Sequence, residues 1–130
     1  MLWKTRHPIA GQALWEPTPW RNRLTEQLQS GRWYEGAVLK LMRALLYPGG
    51  HLVDCGANVG NHTLWAALYG HQVIAIEGDP LLADMLCRNV ELNDAADRVR
   101  VFEKVLMDKE MLVQKVGKDG NQIFAPGGQI

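Results

Sequence analysis

The sequence predicts an α/β fold in which helices flank a parallel sheet. Three short apolar runs, at residues 52–55, 73–76 and 99–106, have the length and continuity of buried strands. Segments with apolar residues at helical spacing precede the first run and connect each run to the next. Strands that alternate with helices favour a parallel sheet with right-handed crossovers and helices on both faces.

The first 33 residues are expected to form an arm that wraps the body, ahead of a single domain at residues 34–130. They contain Pro8, Pro17 and Pro19 and no sustained periodicity beyond Leu24 and Leu28. A chain of 130 residues with 47% hydrophobic residues can bury one core, which fits one domain.

Three helices are predicted within the domain. The first carries apolar residues at helical spacing and ends at the Pro48-Gly49-Gly50 turn: Val38, Leu41, Met42, Leu45 and Leu46. The second continues through Leu64, Ala67 and Leu68. In the third, Asp79 is the N-cap and Pro80 the first helical residue, and the buried side is expected to hold Leu82, Met85, Leu86 and Val90.

The end of the chain does not predict another strong strand. After residues 111–113 the sequence becomes polar and rich in glycine, with Gly117, Gly120, Gly127 and Gly128. The sheet is therefore expected to be incomplete, with three clear strands and an open edge at residues 52–55. A second copy, or a C-terminal half absent from this sequence, could cover that edge.

Composition limits the classes of partner that the sequence suggests. Fourteen Lys and Arg balance fourteen Asp and Glu, so the net charge favours neither nucleic acid nor an anionic membrane. A local basic excess, interleaved with tryptophans, lies in the first 33 residues. It leaves a phosphate-bearing partner open, although packing of those tryptophans on the domain is preferred. The spacing of Cys55 and Cys87 indicates neither a disulfide framework nor a metal site, and no export signal is apparent, so a cytoplasmic location is expected.

The residues that carry chemistry follow the first strand. Asp54 lies near the strand end, and small residues at Gly56, Ala57 and Gly60 let the backbone approach a ligand closely. Amide groups at the next helix start can hold a carboxylate. Glu77 ends the second strand, where a carboxylate can accept both hydroxyls of a ribose. Together these residues predict a site for a ligand with a nucleoside and an amino-acid end.

This stretch has two alternative interpretations. A plain βαβ unit would use the glycines only for a tight turn. A nicotinamide site would require G-x-G-x-x-G, whereas this loop has glycines at 56 and 60 with Asn58 between them. The loop therefore argues against a dinucleotide.

The stretch from Val53 to Leu64 resembles the first motif of the FkbM-type S-adenosylmethionine-dependent methyltransferases, which have a Rossmann-like class I fold. Further matches follow in order: Tyr34-Glu35 before the first helix, residues 74–77, residues 88–93, and residues 104–110 beside the adenine. Gly78 departs from the family's proline, and Val105, Leu106 and Met107 from its small residues. The motif and the resemblance together give these cofactor-binding residues: Tyr34, Glu35, Asp54, Gly56, Ala57, Asn58, Gly60, Asn61, Glu77, Gly78 and Asp108.

The resemblance implies S-adenosylmethionine as cofactor and O-methyl transfer to a hydroxyl of a sugar or small metabolite. No general base is identified, although His62 lies beside the loop and could act on an acceptor proton or simply cap its own helix. A non-catalytic S-adenosylmethionine-binding module and a nicotinamide oxidoreductase are the alternatives to an active methyltransferase.

Overall fold

A computed structural model describes residues 1–116 and 123–126 of the chain. The elements in chain order are β1 Trp3–His7, β2 Gly11–Trp15, α1 Arg23–Gln29, α2 Gly36–Leu45, β3 His51–Cys55, α3 Asn61–Leu68, β4 Gln72–Ile76, α4 Pro80–Leu92, β5 Val99–Phe102, β6 Val113–Val116 and β7 Ile123–Pro126. The predicted α/β architecture is confirmed, because β3, β4 and β5 form a parallel sheet in that order with α3 and α4 as the crossovers.

The third strand is shorter than predicted and ends at Phe102. Its last residue pairs with Ile76, the last residue of β4, so no neighbouring strand remains to continue the ladder. Beyond it, the Glu77 amide donates to the Phe102 carbonyl at 3.0 Å and the chain bends away. Apolar residues at 105–107 therefore line cavities at the end of the sheet.

Helix α4 follows its sequence signals. The Asp79 side chain accepts a hydrogen bond from the Leu81 amide at 2.9 Å, and Pro80 occupies the first helical position. All four residues expected on the buried side are buried.

The helices cover one face of the sheet, whereas helices on both faces were expected. Val73, Ala75 and Val99 are buried on the covered face. On the other face Val53 is 56% and Ile74 is 39% exposed. In the described part of the chain, β3 is also an open edge, because β6 and β7 pair with each other and not with β3.

The N-terminal segment is folded, although the sequence predicted an arm. Strands β1 and β2 form an antiparallel hairpin, and α1 begins with a capping box between Asn22 and Thr25. Trp15 is fully buried and its indole N–H donates to the Thr5 hydroxyl at 3.0 Å. The expectation that tryptophans of this segment pack on the domain is thus met by Trp15 and Trp20.

His7, the last residue of β1, is buried and contacts α3 through Trp65. Its Nδ1 accepts hydrogen bonds from the Ile9 and Ala10 amides, at 3.2 and 3.1 Å. Nε2 must therefore carry the proton, and it donates to the Trp65 carbonyl at 3.2 Å. Burial lowers the pKa of His7, and the nearby Arg43 lowers it further, against the opposing effect of the Trp65 hydrogen bond.

Helix α2 buries only part of the face that its spacing suggested. Of the expected residues, Met42 and Leu46 pack against the core, whereas Leu41 and Leu45 are exposed. Leu39, which was not among them, is buried, and the helix packs on α3, so only a narrow stripe of it is covered.

The end of the described chain contains two paired strands that the sequence did not predict. β6 and β7 pair in antiparallel fashion as a separate sheet. The glycine-rich positions 117, 120, 127 and 128 lie outside the described residues.

Candidate cofactor site

A cavity of about 350 Å³ lies where the carboxyl ends of β3, β4 and β5 meet. Ligands of open α/β sheets bind at this edge. The lining residues come from the loop after each strand: Cys55, Gly56, Ile76, Glu77, Gly78, Lys104, Val105 and Leu106. Three of the eleven residues expected at the cofactor, Gly56, Glu77 and Gly78, thus line it directly.

The loop after β3 has three residues with left-handed backbone conformation. These are Gly56, Asn58 and Gly60, with φ of 79°, 54° and 106°. The Gly56 and Ala57 amides both donate to the Ile76 carbonyl, at 2.8 and 3.0 Å, which ties the loop to the end of β4. A Cβ on Gly56 would meet open space, since this residue faces the cavity.

Gly60 has a different role from Gly56, because it is enclosed by the core. A Cβ on Gly60 would lie 2.8 Å from Cδ1 of Leu86 in α4. Glycine is therefore required here both by its φ and by the packing of α4 against the loop.

Glu77 links the two loops that border the cavity. Its Oε1 accepts from the Asn58 amide at 2.9 Å, and its Oε2 accepts from the Asp79 amide at 2.8 Å. The side chain is only 7% exposed but contributes to the cavity wall. A carboxylate has about four acceptor positions, so two of them are still available to a ligand.

Asp54 and Asn61 organise the start of α3. Oδ2 of Asp54 accepts from the Thr63 hydroxyl at 2.7 Å. The fully buried Asn61 side chain accepts from the Tyr34 amide at 3.0 Å and donates to the Tyr34 carbonyl at 2.9 Å. The structure thus brings Tyr34 beside the loop through its backbone. Glu35 follows as the N-cap of α2 with φ of 55°.

Asn89 of α4 holds the loop from behind, a role that sequence reasoning missed. Its side chain donates to the Val59 carbonyl at 2.9 Å and accepts from the Glu16 amide at 2.8 Å. Asn93, one turn later, makes a similar pair of bonds with the Leu14 backbone, both at 2.8 Å. The match at residues 88–93 was the signal, but it did not reveal that the asparagines join the N-terminal hairpin to the cofactor loop.

Only part of the segment after β5 lies at the cavity, although the resemblance implied that residues 104–110 border the adenine. Lys104, Val105 and Leu106 line the main cavity and a second one of about 550 Å³ beside it. Asp108 is exposed and lines neither cavity. Cys55, expected to be a small core residue, is exposed at the cavity rim.

Among the described residues, 1–116 and 123–126, no group of three or more His, Cys, Asp or Glu side chains could hold a metal ion. Within the same residues, no helix is long and apolar enough to cross a membrane.

The known proteins to which this chain is similar are methyltransferases. No protein-family model matches the chain. The 23S rRNA (uracil(1939)-C(5))-methyltransferase RlmD of Acidithiobacillus ferrooxidans is 35% identical over 83 residues, which cover 64% of this chain and 17% of that protein. The ribosomal protein L11 methyltransferase of Geobacillus kaustophilus is 27% identical over 107 residues, covering 71% of this chain and 34% of that protein. The chain therefore spans about a third of one relative and less than a fifth of the other.

Solved structures agree on the fold. An RNA methyltransferase from Salinibacter ruber in complex with S-adenosyl-L-homocysteine aligns with a TM-score of 0.52 and 24% identity, over 58% of this chain and 52% of that one. TYW2 of P. horikoshii in complex with MeSAdo aligns with a TM-score of 0.53 and 23% identity, over 77% of this chain and 35% of that one.

The fold is therefore the Rossmann-like fold of the class I methyltransferases, as the sequence predicted. The comparisons also support S-adenosylmethionine as the expected cofactor. They do not confirm the FkbM type within the class.

The expected methyl acceptor is wrong. A small-molecule or sugar hydroxyl was expected, and no clear signal for nucleic acid was found, whereas the relatives act on rRNA and on a ribosomal protein. The sugar acceptor came only from the FkbM resemblance. The neutral total charge was also uninformative, since equal totals do not describe how charges are distributed over the surface.

Proposed function

We propose that this chain binds S-adenosylmethionine at the carboxyl ends of β3, β4 and β5 and forms the cofactor-binding part of a methyltransferase. The observation that carries the proposal is the cavity between Gly56 and Glu77, which joins the loop after β3 to the loop after β4. The cofactor supplies an activated methyl group on a sulfonium that is already a good leaving group. The protein's tasks are to position the reacting groups and to take up an acceptor proton where there is one.

Glu77 is proposed to accept the ribose hydroxyls. Its two bonds to backbone amides fix the carboxylate, and its remaining acceptor positions can face the cavity. Because the side chain is almost fully buried, bonds made there compete weakly with water.

The amino-acid end of the cofactor is proposed to lie along the loop at residues 56–60 and the start of α3. Gly56 leaves open space for a close approach. The helix begins at Asn61 without a side-chain cap, so its first amides can receive a carboxylate. Asp54 stays a candidate for the ammonium, since Thr63 bonds only one of its oxygens.

The adenine is proposed to lie against Gly78 and residues 104–106, which complete the cavity wall. Val105 and Leu106 give this part of the wall an apolar surface. Asp108 is left out of the proposed contacts because it is exposed and lines neither cavity. Tyr34 and Glu35 are proposed to support the loop from the side through Asn61.

We propose a component of the translation machinery as methyl acceptor, with RNA preferred. The support is the 35% identity to an rRNA methyltransferase over 64% of the chain. O-methylation of a sugar is not proposed, and a cytoplasmic location stays a prediction. No described side chain is assigned as the general base. The His62 side chain is half-buried beside the loop and makes no hydrogen bond with the described residues.

A second candidate is a non-catalytic module that binds the cofactor without transferring the methyl group. It is favoured by the exposed sheet face, because no described residue covers Val53 and Ile74 there. The part of an enzyme that would complete this face is thus not seen among the described residues. A nicotinamide enzyme is disfavoured, because Asn58 with a left-handed backbone stands where a dinucleotide loop has its glycine pattern.

Calorimetry and thermal denaturation with S-adenosylhomocysteine and NAD in parallel test the proposal. S-adenosylhomocysteine should bind and raise the melting temperature, because it binds the folded state, whereas NAD should do neither. Absence of both heat and thermal shift at saturating S-adenosylhomocysteine would refute cofactor binding. Incorporation of labelled methyl groups into ribosomal RNA would then separate the enzyme from the non-catalytic module.

A further inference from the structure

A separate cavity of about 360 Å³ lies between the N-terminal hairpin, the start of α2 and α3. It shares no lining residue with the cavity at the ends of the strands. We call it the tryptophan pocket, and its chemistry comes from five side chains: Arg6, Arg32, Trp33, Lys40 and Trp65.

The two tryptophans form rigid walls. The Trp33 indole N–H donates to the Arg6 carbonyl at 2.8 Å, and the Trp65 indole N–H donates to the Leu39 carbonyl at 3.1 Å. Their rings contact edge to face, with centroids 5.1 Å apart and planes at 75°. Both N–H groups already have partners, and both rings are half-buried, Trp33 against Trp15 and Trp65 against Tyr69. A ligand therefore meets only the part of the aromatic surface that remains exposed.

The cations around these walls are free to meet an anion. Arg6, Arg32 and Lys40 are exposed, and none forms an ion pair with a described residue. No acidic side chain lines the pocket; Glu35, one residue before the lining residue Gly36, is not part of it. Three unpaired positive charges therefore surround one aromatic cavity in a chain of zero net charge.

A fourth cation lies nearby. The Arg43 guanidinium stacks on the Tyr69 ring, 4.0 Å from its centroid. The Tyr69 and Trp65 rings are 5.3 Å apart, so the positive field continues from the pocket along α2. Such a surface attracts a chain of negative charges rather than a single anion.

We propose that the tryptophan pocket binds single-stranded RNA, with a base against Trp33 and Trp65 and neighbouring phosphates on Arg6, Arg32 and Lys40. Positive grooves with aromatic side chains are the means by which proteins hold single strands, because every base has a π-face that can stack. An acidic peptide would use the charges but not the aromatic walls. This inference rests on the proposed function, whose substrate it specifies.

The pocket is connected to the cofactor loop through the backbone. Tyr34 follows Trp33 directly, and both polar groups of its main chain bond the Asn61 side chain at the start of α3. RNA bound in the pocket therefore lies beside α3, the helix that follows the cofactor loop. A docking surface in this position could orient RNA for a reaction at the carboxyl ends of β3, β4 and β5.

Fluorescence anisotropy of a labelled single-stranded RNA, measured over a series of salt concentrations, tests the proposal. The test variant is Arg6→Gln/Arg32→Gln/Lys40→Gln. The control is Arg23→Gln/Arg100→Gln/Lys109→Gln, which removes the same charge from exposed residues that form no ion pair with a described residue and do not line the pocket. Each lost phosphate contact should reduce the slope of log affinity against log salt by about 0.7, so the test variant should lose roughly 2 and the control little.

Crosslinking of the wild-type chain to RNA that contains 4-thiouridine gives an independent location. The crosslinked peptides should contain Trp33 or Trp65. Equal affinity and slope in the two triple variants, or crosslinks confined to other peptides, would overturn the proposal. Competition by polyglutamate as strong as by unlabelled RNA would also overturn it, in favour of an acidic protein partner.

Thermal shift with S-adenosylhomocysteine on the same samples separates this inference from the proposed function. Loss of RNA binding in the test variant, with its cofactor shift retained, supports the pocket. A wild-type chain that binds S-adenosylhomocysteine but no RNA refutes the pocket and leaves the cofactor proposal standing. RNA binding at the pocket without any cofactor shift would refute only the proposed function.

Discussion

Replacing Glu77 should affect both stability and cofactor binding. In Glu77→Ala, the amides of Asn58 and Asp79 lose an acceptor that the folded chain holds at 2.9 and 2.8 Å. Leaving a buried donor without a partner costs about 1–3 kcal/mol. Two such donors, one of them in a half-buried loop, should lower the free energy of unfolding by about 2–4 kcal/mol. For a chain of this size, the melting temperature should fall by roughly 10 °C.

Binding of S-adenosylhomocysteine should weaken in addition, because the ribose hydroxyls lose a charged acceptor. We expect a loss of about 1–3 kcal/mol, which corresponds to a roughly 5- to 150-fold larger Kd. Glu77→Gln should have a smaller effect on stability than Ala, since the amide oxygen can still accept from one of the two backbone N–H groups.

Urea denaturation gives the free energy of unfolding, and calorimetry gives the affinity of the variants that remain folded at the working temperature. Glu91→Gln is the matched control, because Glu91 is exposed on α4 and lines neither cavity at the strand ends. If Glu77→Ala kept both the unfolding free energy and the affinity within about 0.5 kcal/mol of wild type, the size expected of a neutral surface change, the reasoning would be wrong.

Three further predictions concern other parts of the molecule. Gly56→Val should abolish S-adenosylhomocysteine binding, because the new side chain enters the cavity, and it should also lower the melting temperature, because a branched side chain is strained at a φ of 79°. Circular dichroism below that melting temperature checks that the variant is folded, and retained binding in the folded variant would remove this residue from the site. Gly60→Val should instead unfold the chain, because its side chain would also collide with Leu86. As the pH falls below the ordinary histidine value of 6.5, the free energy of unfolding should decrease, because the lowered pKa of His7 lets the unfolded chain bind a proton first. Urea titrations from about pH 7.5 to 5.5 should show a steeper decrease in wild type than in His7→Gln, and an equal slope in both would contradict this prediction. The isolated chain should self-associate through the open β3 edge and the face that exposes Val53. Sedimentation over a concentration series should show oligomers, and Val53→Lys should form fewer of them. A monomer at all concentrations would exclude this self-association.

The elements nearest the cofactor could be predicted from the sequence, because their signals are local. Each of these signals involves residues only a few positions apart. They are the strands of four or five mostly apolar residues, the helix cap at Asp79 with proline after it, and the glycines at 56 and 60. Backbone conformation at such positions is decided by the residue type itself, as at Gly56 with its φ of 79°. The order of strand, loop and helix then places the site at the carboxyl ends of the sheet.

Contacts between distant parts of the chain required the tertiary structure. The sequence shows Asn89 on a helix, but only packing brings its side chain to Val59 and Glu16, which are 30 and 73 residues away. The tryptophan pocket likewise joins Trp33 to Trp65, so its charge could not be read from the composition.

The sequence by itself thus determined the class of fold and the loop that faces the cofactor, because short-range periodicity and backbone preference decide both. Tertiary structure decided which apolar surfaces are covered. Leu39 is buried and Leu41 exposed on the same helix, although both are leucines in an amphipathic pattern. Whether a side chain is buried depends on which other element packs against it. That element is determined by the packing of the whole chain and not by the local spacing of apolar residues.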